Sequence, residues 1–355
     1  MAEGRRRIMY LDYLRVLLAF WVVLTHSSFG YLQVIKNFGV TWKVAAVYNI
    51  VGQCTVPLFF MISGVLFLDK KKKIDIKSIY TRYIPPLAIS FVVWSLGYAF
   101  LNGDHKKGLY TFVQSVIDGG YHMWFIPIMI GLYMLVPLFK KIVESKTLTK
   151  YYLVLFVIFS FVIPTLQFLS EAFPFPGSDA VSSLLSTASS SLSVNMVIGY
   201  GGFMVLGHFL HTASIKKKTA GFIYFWGVLG LLFTVAATFY LSVRDGELNS
   251  QFMDRRALGI CLVPVAAFVF FKQRFGNKSC SDKLRKVVVA LSDCTYGVYL
   301  SHVLVITAFR ELIGFDSDFI NPALGSPLFA FLVFAVCVAI VFILKQIPFV
   351  KKYIV

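Results

Sequence analysis

One stretch decides the fold: Tyr10–Ser28, which reads YLDYLRVLLAFWVVLTHSS. It is rich in Leu, Val and aromatic residues and is long enough for a membrane-spanning helix, which needs about 20 predominantly apolar residues. It nevertheless contains Asp12, Arg15 and His26. Ionisable groups are costly inside a membrane and usually face a bundle interior or a cavity. The stretch therefore indicates a membrane helix with a functional face.

The whole chain has the composition of a membrane protein. Of its 355 residues, 58% are hydrophobic and 14% are charged, compared with about 45–50% and about 25% in soluble domains. A formal net charge of +17 would suggest nucleic-acid binding in a soluble protein, but here the charges lie in short loops between apolar runs. We predict an all-α polytopic protein with one membrane-embedded domain over residues 1–355, and no nucleic-acid partner.

Ten apolar runs are long enough to cross a bilayer. They cover residues 9–29, 44–68, 79–101, 122–139, 151–169, 192–211, 220–242, 253–271, 287–309 and 327–347. The first run is longer than the apolar part of a signal peptide, about 7–15 residues, and no small-residue cleavage site follows it. We therefore expect it to be retained as the first of ten transmembrane helices.

The basic residues predict the orientation of these helices. The segments before the first run and after every second run carry 24 Lys and Arg, whereas the alternate segments carry 5. Because short cytoplasmic loops are enriched in Lys and Arg, both termini are predicted to be cytoplasmic. The first helix then runs outward, with Asp12 and Arg15 near its cytoplasmic end and His26 near its outer end.

The ionisable residues of the first helix share one face. Arg15 and His26 are eleven residues apart, about 1,100° of helical rotation, which leaves them about 20° from alignment and about 16 Å apart along the axis. Asp12 and Arg15 are neighbours at a spacing of three. The ordinary alternative is that Arg15 extends to the headgroups while Asp12 and His26 are interfacial. The shared face favours a functional site.

Two short motifs follow. Pro57 is predicted to kink the second helix, and Ser63-Gly64 would allow close approach of a helix or a ligand. Arg82 lies at the start of the third helix and could join Arg15 in a cytoplasmic anion site, because the guanidinium group binds phosphate in a two-pronged manner. The lysine run at 70–73 is more typical of a cytoplasmic loop.

Three histidines are predicted to lie in the outer half of the membrane: His26, His122 and His302. Neutral imidazole is the usual general base for a hydroxyl group. The three could instead bind a metal, but neither close ligand spacing nor a supporting carboxylate is present, so no metal is expected. His122 and the nearby Trp124 could also be plain interfacial residues.

Five stretches together resemble acyltransferase family 3, the membrane-bound O-acyltransferases of bacterial cell-surface glycans. They are LDYLRVLLAFWVVLTH (11–26), VPLFFMISGVLFL (56–68), TRYIPP (81–86), YHMWFIPIMIGLYMLVPLF (121–139) and TYGVYLSH (295–302). The last stretch has Thr295 where the family pattern has Ser. The likeness is greatest to stand-alone members, which add acetyl or succinyl groups without a further extracytoplasmic domain.

The resemblance implies a reaction and a place. The protein would lie in the bacterial cytoplasmic membrane and move an acetyl or succinyl group from acyl-CoA, used as a co-substrate with no permanently bound cofactor, to a hydroxyl of a surface glycan or lipid-linked sugar. The family's functional Arg and His correspond to Arg15 and His26. Assembly with itself or with polysaccharide-synthesis enzymes is left open.

The remaining candidates follow from depth and chemistry. Besides Arg15, the donor site would include Asp12, Ser63 and Arg82. His26 would be general base or acyl carrier, and the tetrahedral oxyanion would need a donor, for which the candidates are His122, Tyr299 and His302. Trp124, Arg255 and Arg256 are candidates for acceptor binding, although both arginines could equally be interfacial anchors. The main alternative function is an exporter of a glycan or lipid-linked saccharide.

Overall fold

The computed structural model describes residues 7–34, 38–192, 197, 199–276 and 280–355. Within these ranges the regular structure is helical, and no strand occurs. The α-helices are α1 Met9–Val34, α2 Val40–Gln53, α3 Thr55–Phe67, α4 Ile76–Ser78, α5 Ile84–Leu101, α6 Leu109–Asp118, α7 Phe125–Glu144, α8 Lys146–Val157, α9 Ile163–Ala172, α10 Ser178–Ser191, α11 Gly201–Thr212, α12 Lys217–Asp245, α13 Leu258–Phe275, α14 Asp282–Ala308, α15 Pro322–Leu344 and α16 Pro348–Tyr353. The all-α polytopic prediction is confirmed.

Nine helical segments in the described part of the chain are long and apolar enough to span a membrane. They correspond to nine of the ten predicted runs. The remaining run, 192–211, begins largely outside the described residues and continues into α11, whose 12 residues extend only about 18 Å. The tenth crossing therefore remains a prediction.

Helix α1 packs mainly against α2, α14 and α15. At one end, Ser292 of α14 donates a hydrogen bond to Asp12, with a distance of 2.7 Å. At the other end, Arg310 and Ser317 both donate to the carbonyl oxygen of Ser27, at 3.3 and 3.2 Å. These contacts place α1 and α14 parallel, in agreement with the alternation predicted from the basic loops.

The second predicted span is broken into two helices. Helix α2 ends at Gln53 and α3 begins at Thr55, with Cys54 between them. Pro57 follows at the start of α3, where a missing backbone N–H costs nothing because the first N–H groups of a helix have no partner within it. The predicted kink is therefore a break three residues before the proline, directly after Gly52 and Gln53.

Glycines allow α3 and α11 to approach closely. A methyl group added at Gly64 would lie 1.9 Å from the carbonyl oxygen of Met204, and one at Gly207 would lie 2.2 Å from that of Met61. In a bilayer, small residues at helix interfaces permit the tight van der Waals packing that holds helices together. The Ser63-Gly64 motif therefore has a packing role, which fixes the position of Ser63.

Gly64→Ala should destabilise the protein by about 3 kcal/mol, at the upper end of the usual cost of overpacking, because the methyl group would meet a backbone atom that cannot rotate away. Thermal unfolding of the purified protein in detergent would measure the loss. Gly131→Ala in α7 is the matched control, since a methyl group there would have nothing within 4 Å. Equal unfolding midpoints for the two variants would contradict the close α3–α11 contact.

Candidate functional site

A cavity of about 380 Å³ lies between the central helices and is lined by both Arg15 and His26. Its polar lining residues are Arg15, Thr25, His26, Gln53, Thr55, Ser63, His122, Trp124, Arg255, Thr295, Tyr296 and Tyr299. The face predicted from the spacing of Arg15 and His26 is therefore the cavity-facing side of α1. One continuous cavity therefore extends from Arg15 to His26.

The Arg15 end of the cavity is held in place by a buried carboxylate. Asp12 is 1% exposed and accepts hydrogen bonds from Arg7 at 3.0 Å, from Arg15 at 3.4 Å and from Ser292 at 2.7 Å. Arg7 also pairs with Asp293 on α14. Asp12 thus orients Arg15 and does not itself line the cavity.

The outer end of the cavity brings three imidazole rings together. The ring centroids of His26 and His302 are 5.0 Å apart, those of His122 and His302 are 5.0 Å apart, and those of His26 and His122 are 6.4 Å apart. His26 and His122 line the cavity, whereas His302 lies behind them and is fully buried. No group of His, Cys, Asp or Glu within the described residues is arranged to hold a metal ion.

Hydrogen bonds fix the tautomer of His302. Its Nδ1 lies 2.7 Å from the carbonyl oxygen of Tyr299, so Nδ1 carries the proton and donates it. Nε2 is then a free acceptor, and it is buried with no partner among the described residues. His302 therefore has a fixed orientation behind the two histidines that line the cavity, His26 and His122.

The hydroxyl group of Tyr299 already donates a hydrogen bond within the protein. It donates to the carbonyl oxygen of His122 at 2.8 Å, and a phenol has only one proton to donate. The bond connects α14 to the segment that carries His122 and so positions that ring. As placed, Tyr299 lines the cavity but has no proton available for a developing oxyanion.

Arg255 and Arg256 differ in role. Arg256 forms a two-pronged pair with Asp254, with distances of 3.0 and 3.1 Å, and does not line this cavity. Arg255 does line it, and its guanidinium carbon lies 4.2 Å from the ring centre of Trp124 and 5.7 Å from that of Tyr200. Of the two arginines, Arg255 is the one presented to a ligand there.

Arg82 lies apart from the Arg15 site. Its side chain is exposed, lies over the ring of Tyr83 and does not line the cavity. Ser63, by contrast, faces the cavity. The predicted pairing of Arg82 with Arg15 could therefore occur only through a ligand that extends beyond the cavity.

Gln53 is a cavity residue that the sequence did not single out. It lies at the break between α2 and α3, and no hydrogen bond of its side chain occurs among the described residues. The hydroxyls of its cavity neighbours Thr25 and Thr55 instead donate to the carbonyls of Trp21 and Gly52. A glutamine within an apolar run just before a proline could have been the signal.

The family model of acyltransferase family 3, which describes an acyltransferase domain, matches residues 8–345. The match covers nearly the whole chain and includes α1 and α14, which carry Arg15, His26 and His302. No curated protein and no solved structure matches the chain.

Proposed function

Because this chain belongs to acyltransferase family 3, a family of membrane acyltransferases, we propose that it transfers an acyl group from cytoplasmic acyl-CoA to a hydroxyl group of an extracytoplasmic glycan or lipid-linked sugar. The observation that carries the proposal is the single cavity lined by Arg15 at one end and His26 at the other. A transferase that uses substrates from two sides of a membrane needs such a connection.

The donor would enter at the Arg15 end. The phosphate groups of acyl-CoA cannot enter hydrocarbon at low cost, so they would remain at the cytoplasmic side. Arg15 is suited to meet them because Asp12 uses only one of its donor nitrogens, Nη1, and the guanidinium group carries five N–H donors. The extended pantetheine arm would then carry the thioester along the cavity toward His26.

The chemistry would take place at the imidazole cluster. His26 would accept the proton of the acceptor hydroxyl as its oxygen attacks the thioester carbonyl carbon. Collapse of the tetrahedral intermediate would break the carbon–sulfur bond, and the CoA sulfur would leave with the proton from His26. His122, with both ring nitrogens buried and unpartnered among the described residues, could donate to the oxyanion from whichever ring nitrogen carries its proton.

Mass spectrometry of surface glycans from cells with and without the protein would test this function. A difference of one acyl group per modified sugar is expected, and its mass would distinguish acetyl from succinyl. Glycan that is absent from the surface but accumulates inside the cell when the protein is removed would instead support an exporter. Unaltered surface glycan in both amount and mass would exclude both activities.

Asp12→Asn should impair donor binding more than chemistry, because Asp12 positions Arg15 without lining the cavity. We expect the KM for acyl-CoA to rise severalfold with little change in kcat. The loss of a buried charged acceptor should also lower the free energy of unfolding by about 1–3 kcal/mol.

Asp293→Asn is the matched control for this variant. Asp293 pairs with the same Arg7, but its side chain is 52% exposed, and exposed ion pairs contribute at most about 1 kcal/mol. Steady-state kinetics with varied acyl-CoA and thermal unfolding would compare the two. A drop in kcat alone for Asp12→Asn would contradict its positioning role.

A further inference from the structure

The side chain of Arg255 lies where two cavities meet. It lines the central cavity and also a second one of about 300 Å³, whose lining includes Tyr200, Asp254 and Arg256. Pockets for small ligands typically begin at about 300 Å³. A substrate group in either cavity would therefore lie near the side chain of Arg255.

Arg255 is held in place by aromatic rings and by no salt bridge among the described residues. Its guanidinium carbon is 4.2 Å from the centre of the Trp124 ring and 5.7 Å from that of Tyr200, which is the range of cation–π attraction. One of its terminal nitrogens, Nη1, is buried with no hydrogen-bond partner. Buried polar groups nearly always have a partner, so this nitrogen indicates a missing acceptor.

The nearest carboxylate does not fill that role. Asp254 accepts hydrogen bonds from the side chain of Arg256 at both of its oxygens, at 3.0 and 3.1 Å, and from the backbone N–H of Arg256 at 2.8 Å. The neighbouring arginine thus neutralises the local acidic residue. Arg255 therefore forms no salt bridge among the described residues, although Asp254 lies near enough for its charge to act on the guanidinium group.

We propose that Arg255 binds a carboxylate group of one of the two substrates, either the distal carboxylate of a dicarboxylic acyl group or that of an acidic sugar. The inference builds on the proposed acyl transfer and specifies the substrate class. The guanidinium fork matches a carboxylate in geometry and charge. The rings of Trp124 and Tyr200 reduce the freedom of the side chain, which lowers the entropic cost of binding.

Binding measurements on the purified full-length protein would test the proposal without requiring catalysis. Succinyl-CoA would be compared with butyryl-CoA, which has a methyl group in place of the carboxylate, and glucuronic acid with glucose. Affinities would come from the shift of the thermal unfolding midpoint with ligand concentration. We expect one acidic probe to bind about 10- to 100-fold more tightly than its neutral partner, the range typical of a charged hydrogen bond.

Two arginine variants separate the site from general charge effects. Arg255→Gln should abolish the preference for the acidic probe. Arg244→Gln should keep it, because Arg244 lines neither cavity and is paired with Asp245 at 2.6 Å. Arg255→Lys should retain part of the preference because the charge remains while the fork is lost, and it serves if Arg255→Gln does not fold.

The outcomes are distinguishable from those of the transferase assay. A preference in the CoA pair assigns the carboxylate to the acyl group, and one in the sugar pair assigns it to the acceptor. No preference in the wild-type protein, or one that survives Arg255→Gln, would overturn the carboxylate site even if acyl transfer is observed. A preference that depends on Arg255, in a protein that transfers no acyl group, would retain the site and reject the transferase.

Discussion

His26→Ala should reduce acyl transfer by about 100- to 10,000-fold, the usual contribution of a positioned general base. The imidazole faces the cavity, and the one hydrogen bond of its ring among the described residues is a long contact of 3.4 Å between Nδ1 and the hydroxyl of Tyr121. Its removal should therefore leave the helices packed as before. Transfer of radiolabelled acyl groups to glycan, in membranes with equal amounts of the variant and the wild-type protein, would measure the effect.

His105→Asn is the control for a histidine outside the cavity. His105 is exposed and packs against Phe100, with ring centroids 5.0 Å apart. It should keep full activity and an unchanged unfolding midpoint. Acylation by His26→Ala at the wild-type rate would remove His26 from the reaction, whereas a lowered unfolding midpoint would assign its effect to the fold.

Arg15→Gln should raise the KM for acyl-CoA by about 10- to 100-fold, equivalent to the loss of a charged hydrogen bond, with a smaller change in kcat. The fold should tolerate the variant, because Asp12 keeps its bonds to Arg7 and Ser292 at 3.0 and 2.7 Å. The KM for the acceptor should not change, since the acceptor approaches from the opposite end of the cavity. Kinetics with each substrate varied in turn would separate these effects.

Arg274→Gln is the control for the loss of a positive charge on the same, predicted cytoplasmic side of the membrane. Arg274 is exposed near the end of α13 and lies over the ring of Phe275. An equal rise in the KM for acyl-CoA in both variants would indicate a general electrostatic effect and not a donor site at Arg15. Salt should weaken such a general effect strongly, because exposed charges are screened over about 8–10 Å.

Much of the candidate site could be predicted because two of its residues, Arg15 and His26, lie on the same helix. The positions of Arg15 and His26 within α1 fix their shared face and their separation, since helical geometry is local. The depth of His122 and His302 followed from counting residues along their spans and from the alternation of basic loops. The three rings do lie together, with centroids 5.0 to 6.4 Å apart.

Other features depended on contacts between distant parts of the chain. The spacing of Asp12 and Arg15 predicted that their side chains are neighbours. The hydrogen bond from Ser292, which is 280 residues away, holds Asp12 in the position from which it orients Arg15. The sequence made Tyr299 a candidate oxyanion donor, but its hydroxyl already donates to the carbonyl oxygen of His122. Adjacent arginines look alike in sequence, yet only Arg255 faces the central cavity.

The sequence by itself determined the membrane fold through hydropathy, and the face of α1 that lines the cavity through helical periodicity. Loop charge predicted the orientation, and the resemblance of five motifs indicated the family. The fold, the orientation and the face of α1 depend on hydropathy, loop charge and helical periodicity, which are all local. The tertiary structure alone decided which polar groups meet, which of them are already paired and where the cavity runs. Lipid is as apolar as a neighbouring helix, so hydropathy can place a residue in the membrane but cannot choose its partner.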